Sequence, residues 1–144
     1  MRLRKTTLAI AMMLSCVLIV GCSNSKTPEN YKKDLSSYMQ MNEYVSYAQL
    51  DMFEKTTAEI EGAYKYAYDE ISNLNMVTPE GKNIQEKYIE LVKYVQTNLE
   101  KYCNDEEKYN KATEEMMNND EKYIALVNEV NKLQETMEKS GENK

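Results

Sequence analysis

The chain has 144 residues, enough for one domain, and its 42% apolar and 29% charged composition excludes both a disordered polyelectrolyte and a multi-span membrane protein. Four Gly and two Pro are too few for the φ > 0 turns that hairpins demand, which leaves an all-α chain. The lack of His removes the commonest metal ligand and general base, and the lack of Trp removes the strongest aromatic anchor, so no catalytic residue, metal site or cofactor is expected.

In chain order, Arg2, Arg4 and Lys5 form a positive n-region ahead of an uncharged apolar run from Thr7 to Val20. That run of about fourteen residues reads as a signal peptide, because a helix needs about 20 apolar residues to cross a bilayer. It ends at Ile19-Val20-Gly21-Cys22. The ordered series of apolar residues, Gly and Cys resembles the lipobox of bacterial lipoproteins. The resemblance implies that residues 1–21 are removed, with Ile19, Val20 and Gly21 as the lipobox, and that the Cys22 thiol carries a diacylglycerol. Two or three acyl chains, palmitate among them, would then anchor the chain to the extracytoplasmic face of the cell membrane, each buried CH₂ contributing about 0.8 kcal/mol.

Removing residues 1–21 takes three of the 18 basic residues and none of the 24 acidic ones, so the remainder carries a net charge of about −9. Both Arg residues leave with the signal, and without a guanidinium fork nucleic acid is excluded as a partner. The acidic domain is also repelled by anionic headgroups, so lipid alone must hold it at the membrane.

Residues 22–29 read as the lipidated N-terminus and a polar tether with a reach of about 20 Å. From Tyr31 the apolar residues fall at helical spacing through Leu35, Tyr38, Val45, Met52 and, after a phase shift, Ile60, Ala63, Ala67, Ile71 and Leu74. This predicts one helix over 30–75, a rod of roughly 68 Å interrupted at most by a kink at Gly62. Thr78, Pro79 and Glu80 signal an N-cap, a first helical residue and an acidic first turn. A second helix is expected over 79–117, with its seam through Ile84, Tyr88, Leu91, Val95 and Tyr102 widened by Val92 and Leu99. A break falls either near Asn104 or, preferably, near Asn118 to Asp120, where a third helix over 120–139 turns back. Residues 140–144 should fray. The expected fold is an all-α, elongated antiparallel bundle of about three helices, coiled-coil-like in its packing.

The acidic runs Asp105-Glu106-Glu107 and Glu114-Glu115 lack the Asp/Asn alternation and central Gly of a calcium loop, so they read as solvated helix faces. Cys103 has no intramolecular partner once Cys16 is cleaved and Cys22 acylated. It is a buried small hydrophobe, a free thiol or an intermolecular bridge. Of the twelve Tyr residues, Tyr44, Tyr47 and Tyr66 fall off the seams. Tyr44 and Tyr47 are the candidate partner-binding residues, whereas Tyr66 should lie about 30 Å from Tyr44 along the rod and share no patch with it. The functional expectation is a non-enzymatic, lipid-anchored scaffold of the bacterial cell envelope acting through protein–protein contacts. The alternative is a lipoprotein that binds cell-wall glycan. Its partners would be the membrane, through the lipid, and an unidentified envelope protein or the wall.

Overall fold

The computed structural model describes residues 26–142, and all regular structure among them is helical. The signal sequence, Ile19, Val20, Gly21 and Cys22 lie outside the described residues. Among the described residues five α helices are present rather than about three: α1 (Pro28–Gln49), α2 (Thr57–Asn73), α3 (Pro79–Leu99), α4 (Glu106–Asn119) and α5 (Glu121–Glu142), with 3₁₀ turns at Met52–Glu54 and Glu100–Tyr102.

The helix expected over 30–75 is two helices. Leu50 leaves α1 in an extended conformation, and Asp51 enters the left-handed region at φ 53°, one of the few non-glycine residue types that visits it readily. Thr56 then restarts the helix with a capping box: its hydroxyl accepts from Glu59 N at 3.3 Å, and the Glu59 carboxylate accepts from Thr56 N at 2.7 Å. The phase shift before Ile60 is this break. At 1.5 Å per residue α1 is a rod of about 33 Å, half the expected length.

The helix expected over 79–117 is also interrupted. Its final turn tightens into the 3₁₀ turn, and Asp105 caps α4 by accepting from Lys108 N at 3.1 Å. The preferred break is present as well, and its cap is Asp120, which accepts from Tyr123 N at 2.9 Å and starts α5. Asn104 and Asn118, the residues first read as caps, each lie one or two positions early.

α2 returns beside α1, and Gln49 Nε2 donates to the Tyr64 hydroxyl at 3.2 Å near the turn. α3 runs along α1, where the Tyr88 hydroxyl donates to Asn42 Oδ1 at 2.7 Å inside the core. α5 packs on both α3 and α1. Lys87 on α3 pairs with Glu129 on α5 at 3.0 Å. α4 closes the end where the α1–α2 turn lies, with the Phe53 ring edge-on to Tyr109 at 5.3 Å. The buried core follows the anticipated apolar positions, including Tyr31, Val45, Ile60, Ile71, Ile84, Leu91, Val95, Val130 and Met137, and adds Tyr64.

Two polar devices fix the opposite end. Asp34 on α1 is fully buried and accepts from Val77 N (2.8 Å), Thr78 N (2.8 Å) and Thr78 Oγ1 (2.6 Å), while Thr78 Oγ1 itself accepts from Gly81 N at 2.9 Å. One carboxylate thus ties the α2–α3 connection to α1 and, through Thr78, caps α3. At the chain's entry, Thr27 caps α1, the Lys26 ammonium pairs with Glu80 on α3, and the Tyr31 hydroxyl donates to the other Glu80 oxygen at 3.0 Å. Residues 26–29, expected to belong to the polar tether, are therefore held against the domain, Pro28 and Glu29 within α1.

Candidate functional site

Tyr44 and Tyr47 lie three residues apart in the last two turns of α1, about 60° apart around the helix axis. The helix break decides what surrounds them. Because α2 folds back, Tyr66 meets Tyr44 edge-to-face, with ring centroids 6.4 Å apart and an interplanar angle of 87°. This overturns the expected 30 Å separation, which assumed an unbroken rod. It also corrects Tyr44 itself, which is half-buried rather than a free surface ring. Tyr47 and Tyr66 remain 69% and 57% exposed, and Leu50 beyond the end of α1 is exposed too. Tyr44 and Tyr66 thus pair across two helices, and Tyr47 and Leu50 are further exposed apolar side chains at the end of α1.

The chemistry of this surface is amphipathic, with the carboxylates of Glu70 and Glu43 beside Tyr44. Partial burial first, then the Glu70 carboxylate and the Tyr66 ring, push the Tyr44 phenol above its ordinary value. It stays a protonated donor at physiological pH, and the exposed rings offer both apolar faces and hydroxyl tips, a combination suited to protein interfaces or sugar faces. Met39, exposed near the middle of α1, extends the apolar character of that helix. The signal that could have revealed Tyr66 as a partner of Tyr44 was the Thr56-Thr57-Ala58-Glu59 capping-box pattern, which marks a helix start in the middle of the expected rod.

Cys103 is buried, and burial, with Glu100 nearby, pushes its thiol above the usual value. Its environment is that of a small hydrophobe and works against thiolate formation. Among the described residues no three His, Cys, Asp or Glu side chains group to hold a metal ion, and no helix is long and apolar enough to cross a membrane. No protein-family model matches this chain, and no curated protein or solved structure shows significant similarity to it.

Proposed function

We propose that this protein is a lipid-anchored scaffold of the bacterial cell envelope. It would be held by an acylated Cys22 on the extracytoplasmic face of the cell membrane and engage another envelope protein through the Tyr44–Tyr47–Tyr66 surface. The observation that carries the binding role is the exposure of Tyr47 and Tyr66 around the Tyr44 contact. Clustered aromatics are the residues most enriched at interface hot spots. The anchor rests on the ordered lipobox at Ile19-Val20-Gly21-Cys22. A wall glycan is the competing occupant, since exposed Tyr rings can also stack on sugars.

Tyr47→Ala combined with Tyr66→Ala tests the surface. Both rings are mostly exposed, so melting should shift little, surface substitutions usually staying within about 0.5 kcal/mol. Capture of a partner from detergent-solubilised envelopes should fall by about fivefold to a hundredfold, the 1 to 3 kcal/mol typical of aromatic hot spots. Capture equal to the parent would remove the surface from the proposal, and loss of co-sedimentation with purified wall alone would favour the glycan. For the anchor, Cys22→Ala should abolish incorporation of labelled palmitate and leave an unprocessed precursor. Undiminished labelling would refute it.

A further inference from the structure

Charge is spread unevenly over the helices. Residues 43–73, the C-terminal end of α1 and all of α2, hold seven carboxylates and two lysines, whereas residues 28–42, the first part of α1, hold two of each and are neutral. Five of the nine net negative charges left after residues 1–21 thus fall in about a quarter of that length. Both lysines of the acidic stretch are engaged within it. Lys55 Nζ donates to Leu50 O at 2.6 Å, and Lys65 pairs with Asp69 at 3.1 Å.

The same stretch carries Tyr47, Leu50 and Tyr66, three of the five large apolar side chains that stand exposed among the described residues. Glu43 and Glu70 lie beside the Tyr44 phenol, which meets the Tyr66 ring edge-to-face, and neither carboxylate pairs with a lysine among the described residues. A partner that covers these rings must also take the two carboxylates out of water, at a cost of several kcal/mol for a buried charge left unpaired. A neutral surface cannot offset that cost, and an acidic one adds repulsion. A cation offsets it twice over, by pairing with the carboxylates and by lying against the negative face of a tyrosine ring.

We propose that the surface around Tyr44 and Tyr66 receives a basic protein surface, whose lysine or arginine side chains pair with Glu43 and Glu70 and lay their stems over the exposed Tyr66 ring. The assignment rests on the reading of the tyrosine surface as a protein-binding one and names the chemistry of its partner. The acidic stretch also steers such a partner toward the rings, so association is fastest at low salt.

The test uses the full chain in phosphatidylcholine nanodiscs and, as probes, fluorescein-labelled peptides of about twelve residues built from Lys-Ala-Thr repeats, with Gln-Ala-Thr and Glu-Ala-Thr counterparts, read by anisotropy. The lysine peptide should bind at least about tenfold more tightly than the glutamine peptide, as two modest ion pairs and one ring contact imply. Raising the salt from about 0.1 M to about 1 M, which shortens the screening length from about 10 Å to about 3 Å, should erase the difference. Glu43→Gln with Glu70→Gln should weaken the lysine peptide by about fivefold or more, whereas Glu86→Gln with Glu114→Gln, an equal charge change at exposed positions of α3 and α4, should weaken it less than about twofold. Equal binding of the lysine and glutamine peptides, or equal loss in the two paired variants, would overturn the proposal. Full capture of an envelope partner by the Glu43/Glu70 variant, alongside loss of capture in the Tyr47→Ala, Tyr66→Ala variant, would overturn it while leaving the tyrosine surface in place. Full capture by the tyrosine variant would instead remove the protein-binding reading on which it rests.

Discussion

Two glycines show how differently one added methyl group acts at two sites. At Gly62, on the exposed face of α2, a Cβ would meet nothing within 4 Å, so Gly62→Ala should stabilise the fold by about 0.5 to 1 kcal/mol through helix propensity. At Gly81, in the first turn of α3, the same atom would overlap the buried carboxylate of Asp34. Gly81→Ala should therefore displace Asp34 from its three donors and destabilise by about 2 kcal/mol or more, despite the better propensity of Ala. Urea denaturation of both variants checks the opposite signs; equal shifts would show that Asp34 can yield without cost. Thr78 and Pro79 were legible as a helix start, but Asp34 was not. Its partners Val77 and Thr78 lie more than 40 positions away, and no local pattern marks a carboxylate that satisfies a distant turn.

At the scale of elements, the seams predicted which faces are buried but not where the helices stop. Ile60 and Ala67 belong to the same core as Val45 whether the chain runs straight or folds back, because apolar periodicity reports a face and not a direction. The stops are set by single residues: Asp51 in the left-handed region, and the caps Thr56, Asp105 and Asp120. Two of these caps titrate, and so does Glu59, the reciprocal partner of Thr56 in its capping box. Tyr123 N–H and then the Tyr94 hydroxyl hold the Asp120 carboxyl below its ordinary range, Lys108 does so for Asp105, and the Thr56 backbone and hydroxyl do so for Glu59. A carboxyl with a depressed folded pKa contributes stability that is present above its unfolded value, about 4, and is lost as the pH falls through the folded value. The urea midpoint should thus drop as the pH falls below the unfolded value of about 4, and Asp120→Asn, which can still cap but cannot ionise, should flatten part of that drop. An acid limb identical in parent and variant would exclude Asp120 as a contributor.

The molecule as a whole is built around tyrosines that solvent does not reach. Burial pushes the Tyr64 phenol up to about 12 against the opposing hydrogen bond from Gln49, and burial likewise raises Tyr88 and Tyr109. Groups whose folded pKa exceeds the unfolded value of about 10 contribute stability that is complete below it and disappears as the pH rises through the folded value. For Tyr64 that window runs from about 10 to about 12. Tyrosinate absorbance from the core should therefore appear together with loss of helicity; full ionisation with the helices intact would contradict the burial. At this scale the candidate surface was half legible. Tyr44 and Tyr47 stood off the seam, but the fold-back that brings Tyr66 to Tyr44 depends on a chain reversal that periodicity does not encode.

The latch at Lys26 bears on how such a surface would search for a partner. With Lys26 paired to Glu80 and Thr27 already capping α1, only Ser23, Asn24 and Ser25 would separate an acylated Cys22 from the folded domain, a leash of about 10 Å. Under the proposed anchor, a domain so held would pivot about one end like a short mast, and its aromatic surface would sweep a layer at a height of up to roughly 35 to 45 Å set by the length of α1. Encounter with a partner in the same membrane would then be a matter of matched height, and confinement to that layer would raise the effective concentration without any added contact. A flexible insert of about twenty residues between Ser25 and Lys26 should leave capture of a detergent-solubilised partner unchanged and weaken capture in intact membranes. Equal capture in both settings would mean that height plays no part.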